Sequence, residues 1–292
     1  MANTQDIRRR IKSIRNTAQI TKAMQMVAAS KMRRAQQHAL AGRPYAGLMN
    51  RVLVSLKGRT DPLLHPLLQV RPMRKELVLV ISSDKGLAGA LNTNLMREVA
   101  GYDPAGTVYV TAGRKARQFI TRTRRELLAD FELKDSPTIL ETKLISRFCV
   151  DKFLAGEVDK VTVLYTQFIN TINQKPVAHT LLPISPFLFD VAGEKQAAAE
   201  AGKGQSLEYI FEPSAAGVLD FMLPYYLQYE VFQMVLDARA SEHSARMVAM
   251  KNATDNANQF IKDLTLEYNK MRQASITTEL LEIATAQSAL AS

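Results

Sequence analysis

One short stretch has residue types suited to phosphate chemistry. In Ser82–Asn92 (SSDKGLAGALN), small residues and two glycines join an apolar run to a helical one. Backbone N–H groups at such a helix N-terminus hold phosphates. Gly86 and Gly89, however, fit neither the dinucleotide G-x-G-x-x-G spacing nor the Walker loop, and no Gly-Lys-Ser/Thr occurs, so the stretch reads as a structural turn. Thr111–Arg117 (TAGRKAR) reads likewise as a tight turn opening a basic helix rather than a phosphate grip. Ser82, Ser83 and Asp84 have no histidine nearby in sequence to activate a nucleophile. The single cysteine, Cys149, excludes an intramolecular disulfide and a multi-cysteine zinc site, and His38, His65, His179 and His243 lack ligand spacing. No catalytic residue, cofactor or metal is expected, and a nucleotide-dependent enzyme centred on Gly86 and Gly89 is a minor alternative.

The elements around that turn alternate strand and helix. Glu76–Ser82 is a buried strand, the stretch to Ala100 has helical periodicity, Thr107–Thr111 is a second strand, and a basic helix runs to about Arg125. A helix near Thr138–Leu154 precedes strands at Lys160–Ile169 and Lys175–Ile184. The pattern predicts a doubly wound, Rossmann-like α/β domain over 76–190 with one antiparallel edge. Residues 191–206 read as an exposed linker. Gly and Pro are absent from residues 1–41, and after Val218 only Pro224 occurs, so long helices are expected at both ends, with an interruption at Gly42, Pro44 and Gly47. Ile7, Ile11, Ile14 and Ala18 form a coiled-coil seam that Ala28, Met32 and Ala35 rejoin after polar Thr21 and Gln25, with Ile20, Met24 and Val27 as a second stripe. Ile276, Leu280, Ile283 and Leu290 keep a seven-residue repeat, and Arg272, Thr277 and Glu279 are read as lying off it. The expected fold class is thus α/β plus a long α-helical coiled coil: 1–75 is one shaft helix, 76–190 the α/β domain, 191–206 the linker, and 207–292 a foot strand and second shaft helix, the two shaft helices antiparallel.

The 292 residues are 47% hydrophobic and carry a net charge of +10, which excludes disorder as a class. The excess is local, because residues 1–75 hold sixteen Lys/Arg against only Asp6 and Asp61. Such a segment suits an acidic partner, so a basic coiled coil binding nucleic acid or an anionic membrane is the main alternative. No apolar run approaches the roughly 20 residues of a membrane-spanning helix, and MANTQDIRRR lacks the apolar core of a signal peptide, so a soluble protein retained where it was made is expected.

Three segments carry a specific resemblance. Ile20–Met32 (ITKAMQMVAASKM), Ala245–Asn256 (ARMVAMKNATDN) and Tyr268–Leu280 (YNKMRQASITTEL) resemble the signature segments of the gamma subunit of F-type ATP synthases, the central rotor stalk. SSDKGLAGALN is similar to the first strand-turn-helix of that family's middle domain, so the likeness runs end to end. Gln25 and Ala88 stand where relatives often carry Glu and Cys, and the cysteine-pair insert of the chloroplast branch is absent.

The resemblance implies a noncatalytic, proton-driven rotor shaft, one copy per complex. It would sit inside a ring of three catalytic and three noncatalytic subunits, beside the epsilon subunit and above the membrane ring of proton-carrying subunits, peripheral on the cytoplasmic face of a bacterial plasma membrane. It implies contact with the catalytic subunits at Lys22, Met24, Arg246, Arg272, Gln273, Thr277 and Glu279, and with the membrane ring at Tyr209 and Glu212. For Met24 a plain coiled-coil core position stays open, for Arg246 a solvated charge, and for Tyr209 a buried strand tyrosine. Contact with nucleic acid is not expected.

Overall fold

The computed structural model describes residues 4–57, 65–184, 211–212 and 214–290. In chain order the elements are α1 (Thr4–Lys57), β1 (Glu76–Ile81), α2 (Leu91–Ala100), β2 (Thr107–Ala112), α3 (Arg114–Arg122), β3 (Leu127–Phe131), α4 (Ile139–Leu154), β4 (Lys160–Phe168), β5 (Gln174–Leu182) and α5 (Ala215–Leu290). They divide into two compact units, Met1–Ala29 with Arg246–Ser292, and Ser30–Ala245. An α/β sheet between two long terminal helices is the expected fold class.

In the larger unit the five strands lie in the order β3-β2-β1-β4-β5. β1 pairs in parallel with β2 and β4, β2 in parallel with β3, and β5 closes one edge antiparallel to β4. β1 and β2 are buried along their whole length, which explains why ELVLVI is apolar on successive rather than alternate positions. Val78, Val80, Tyr109 and Leu164 face Leu95 and Val99 of α2 and Ala116 and Ile120 of α3. On the opposite face Leu77, Leu79, Val108, Val110, Val161 and Val163 pack with Ile145, Cys149 and Phe153 of α4 and with Leu223, Leu227, Val231 and Val235 of α5. Each such large side chain, fully buried, contributes about 1.5–3 kcal/mol, so the first half of α5 belongs to the core of the α/β unit.

Several elements differ from expectation. β3 was not expected: LLADF is short and carries Asp130, whose carboxylate binds the Thr111 hydroxyl at 2.6 Å and Arg117 at 2.9 Å. α3 stops at Arg122 because Arg124 takes a φ of 54° and the Arg125 guanidinium turns back to the Val99 and Tyr102 carbonyls and the Tyr109 hydroxyl. α1 runs unbroken through Gly42 and Pro44, although an interior Gly costs about 1 kcal/mol and an interior Pro about 3 kcal/mol or more. α5 approaches closely there: the Tyr229 hydroxyl donates to the Gly42 carbonyl at 2.6 Å, and a Cβ on Gly42 would lie 2.5 Å from Gln233 Nε2. α5 starts at Ala215 and runs on through Pro224. The linker at 191–206 lies outside the described residues.

In the smaller unit the seam continues through the polar gap. Ile7, Ala18, Thr21 and Ala28 of α1 are buried, with Ile11, Ile14 and Gln25 half-buried between them. On α5, Met250, Thr254 and Ala257 are buried and Ile261, Leu264, Tyr268 and Met271 half-buried. The Thr21 and Thr254 hydroxyls meet at 2.7 Å, and each also reaches a carbonyl of its own helix, Ala18 at 3.1 Å and Met250 at 2.8 Å. One hydroxyl therefore donates across and the other back to its helix, which satisfies both buried groups. Ile20 and Val27, the expected second stripe, are exposed.

From Arg272 to Gln287 every residue of α5 is exposed. This corrects the expectation that Ile276, Leu280 and Ile283 extend the paired seam, since they are 48%, 62% and 64% exposed. With Thr21 opposite Thr254 in an antiparallel pair, Thr4 falls level with Met271, and α5 runs on past the described start of α1.

Candidate functional site

Two places are candidates, the Ser82–Asn92 turn and the unpaired end of α5. At the turn, Ser82, Ser83 and Asp84 are engaged by the protein, whereas the first turn of α2 has no side-chain cap. The Ser82 hydroxyl accepts the Ala116 N–H at 2.9 Å and the Asp84 carboxylate accepts the Arg114 N–H at 3.0 Å, so the first turn of α3 is capped by side chains. Gly113 has a φ of 121°, and a Cβ there would lie 2.3 Å from the Ser82 carbonyl oxygen, so this turn requires glycine. The Ser83 hydroxyl sits 2.9 Å from both the Asn92 side chain and the Lys85 carbonyl.

The second oxygen of Asp84 accepts Arg239 Nη2 from α5 at 3.1 Å. The Arg239 side chain is only 4% exposed, and it also donates to Glu242 at 2.8 Å and to the Leu133 carbonyl at 2.9 Å. Ser244 donates to the Thr171 carbonyl, in the turn after β4, at 2.8 Å. In an open α/β sheet ligands lie outside the carboxyl ends of the strands where the order reverses, here between β1 and β4. α5 occupies that crevice, tied to the turn after β1 by Arg239 and to the turn after β4 by Ser244. Arg239 was not anticipated, because Asp84 lies far from it in sequence; the local signal is a cation among Val235, Leu236, Ala238 and Ala240, all buried. Cys149 is no nucleophile, since complete burial pushes its thiol up to about 12.

Of the residues expected to meet catalytic subunits, Arg272, Gln273, Thr277 and Glu279 stand together on the unpaired end of α5, all exposed. The Thr277 hydroxyl donates to the Gln273 carbonyl at 2.9 Å. Arg272 and Glu279 do not avoid the apolar line as expected, whereas Thr277 lies off it. At 3.6 residues per turn, Arg272, Ile276, Glu279 and Ile283 stack on one side, giving a face of mixed charge and aliphatic surface. Lys22 and Met24 lie elsewhere, on α1: the register places Lys22 level with Ala253, about 28 Å along the axis from Arg272. Lys22 is exposed, its ammonium 3.4 Å from Gln25, and Met24 and Arg246 are half-buried. Glu212 is exposed. Tyr209 lies outside the described residues. Among the described residues, no helix is long and apolar enough to cross a membrane.

The family described as ATP synthase matches residues 3–290. The ATP synthase gamma chain of Methylacidiphilum infernorum is 51% identical over 296 aligned residues, covering 99% of this chain and all of the relative. That of Opitutus terrae is 49% identical, with both chains covered in full. Among solved structures, a chain of the Euglena gracilis mitochondrial ATP synthase, in its OSCP, F1 and c-ring assembly, superposes with a TM-score of 0.67 at 21% identity, covering 98% of this chain and 94% of that one. A chain of the Tetrahymena thermophila mitochondrial ATP synthase central stalk and c-ring gives 0.59 at 24% identity, over 80% and 99%. With relatives about half identical from end to end, this chain belongs to the ATP synthase gamma chain family.

Proposed function

We propose that this chain is the noncatalytic central shaft of a proton-translocating ATP synthase, turned by the membrane ring and coupling that rotation to ATP synthesis in the head. The observation that carries the reading is the end of α5 past Met271, where Ile276, Leu280, Leu281 and Ile283 are more than 45% exposed beside Arg272 and Glu279. A lone helix cannot hold itself in water through so thin an apolar stripe, and a surrounding sleeve of subunits supplies the missing cover. Its mixed surface suits a bearing, because an apolar interface alone would favour one angle.

On this reading residues 1–75 and 207–292 form the shaft, and three copies each of the catalytic and noncatalytic subunits enclose the end of the helical pair away from the foot. Arg272, Gln273, Thr277 and Glu279 meet the inner surface of the catalytic subunits, and Lys22, Met24 and Arg246 meet an acidic segment of theirs. Tyr209 and Glu212 form the foot on the membrane ring, residues 76–190 stand above it beside the epsilon subunit, and 191–206 links the two. The chain acts as one asymmetric copy whose angle makes three identical catalytic sites unequal, a coupling of conformational states without chemistry of its own. The complex is placed on the cytoplasmic face of a bacterial plasma membrane.

The test is to assemble the chain with its head subunits, attach a bead to the α/β unit through an added surface cysteine, and supply ATP. Unidirectional rotation with dwells in multiples of three is expected. A head that hydrolyses ATP at full rate with a stationary bead overturns the proposal.

A further inference from the structure

On the sheet face away from α5, the outer surfaces of α2 and α3 form a groove of about 660 Å³. Arg97, Lys115 and Arg122 line it, and no carboxylate does. Several other cations of this unit have carboxylate partners: Arg117 with Asp130, Lys160 with Glu76, Lys152 with Glu157, Lys134 with Glu141. Among the described residues the side chains of the three groove cations have none, so like charges line one concavity uncompensated. Gln118 and Asn92 add neutral donors, and half-buried Phe119 gives the groove an apolar contact. This site is separate from the N–H groups of the first turn of α3, which Ser82 and Asp84 already cap.

We propose that the α2–α3 groove binds a ligand bearing two or more phosphate groups. Guanidinium forks match phosphate oxygens in pairs, and two of them with an ammonium suit an extended multivalent anion better than a single carboxylate. The groove is open to solvent, and its volume admits a small multivalent anion. The same chemistry comes from two sources, the headgroup of a bis-phosphate lipid or a soluble polyphosphate. The proposal does not depend on the rotor reading and is tested on the full chain by itself.

Tripolyphosphate binding is measured by calorimetry, and membrane binding by flotation with phosphatidylcholine vesicles with and without cardiolipin, at moderate salt so that the general attraction of a basic chain is screened. The groove variant carries Arg97→Gln, Lys115→Gln and Arg122→Gln. A control variant carries Arg9→Gln, Lys12→Gln and Arg33→Gln on α1, which removes the same charge elsewhere. The groove variant is expected to lose at least about tenfold in affinity, as removal of three charge-assisted contacts requires, while the control changes little. Tripolyphosphate binding alone identifies a soluble source, and cardiolipin-dependent flotation a lipid one. No binding of either probe, equal losses in both variants, or equally tight groove-dependent binding of polyglutamate overturns the proposal. Failure of the chain to rotate in a head complex leaves this outcome untouched.

Discussion

Arg239→Ala should be among the most destabilising substitutions in the larger unit. The guanidinium is 4% exposed and binds Asp84 at 3.1 Å, Glu242 at 2.8 Å and the Leu133 carbonyl at 2.9 Å. Asp84 keeps the Arg114 N–H and is 20% exposed, so it loses little; the Glu242 side chain is 6% exposed and loses its salt bridge. Removing one partner of a buried pair costs about 3–5 kcal/mol, mostly through the charge left behind. Arg239→Met with Glu242→Gln removes both charges at similar volume and should recover more than half of that loss, because the penalty belongs to the buried carboxylate that has lost its guanidinium rather than to the missing bond. Urea unfolding of the full chain, read by circular dichroism, measures both variants. A loss below about 1 kcal/mol for Arg239→Ala, or a double variant no better than the single, refutes the assignment of Arg239 as the clamp between α5 and the turns after β1 and β3.

Leu280→Asp should leave the stability of the chain within about 0.5 kcal/mol of the parent because the position is exposed, whereas Glu279→Ala should slow ATPase turnover of the assembled head; melting curves and turnover rates check the two, and a strongly destabilised Leu280→Asp would show that α5 is covered there. Cys149, wholly buried and with its thiol pushed up to about 12, should resist thiol-specific reagents at pH 8 until the chain is unfolded, and rapid labelling of the native chain contradicts this. Burial holds His179 below the ordinary imidazole value, and its Nδ1 has no partner, so below about pH 6.5 the unfolded chain takes up more protons than the folded one and stability falls with pH. The decline in melting temperature between pH 7.5 and 5.5 should be shallower in His179→Gln, and equal slopes would exclude His179 as its source.

Sequence periodicity made most of the framework legible and one part of it misleading. The steps Ile7, Ile11, Ile14 and Ala18 identified the seam of α1, and the alternation of strands and helices over 76–190 identified the sheet with its antiparallel edge. Ile276, Leu280 and Ile283 repeat just as regularly yet are exposed, since periodicity reports that a face is apolar and not what covers it. Ile20 and Val27 misled in the same way. β3 escaped because its short run includes a polar residue whose partners, Thr111 and Arg117, are set by the fold. At the candidate site, the residues on the end of α5 were legible only through family likeness. Arg239 was marked only as a cation in an apolar run, and its role was not legible because neither Asp84 nor Leu133 is its neighbour in sequence.

The hydroxyl pair of Thr21 and Thr254 also acts as a length gauge. Two long helices with a repeating small-residue seam can slide past one another by a heptad and still bury similar surface, and each such slip would change the overhang of α5 by about 10 Å. A slip of one repeat sets Thr21 opposite Met247 or Ile261 and Thr254 opposite Ile14 or Ala28, so the bond between the two hydroxyls is lost and only their back-bonds to Ala18 and Met250 remain, which favours the observed alignment. How far Arg272 and Glu279 stand beyond the start of α1 is thereby specified by two side chains near the middle of the pair. Thr21→Val with Thr254→Val would free the overhang to vary even where the helices still form.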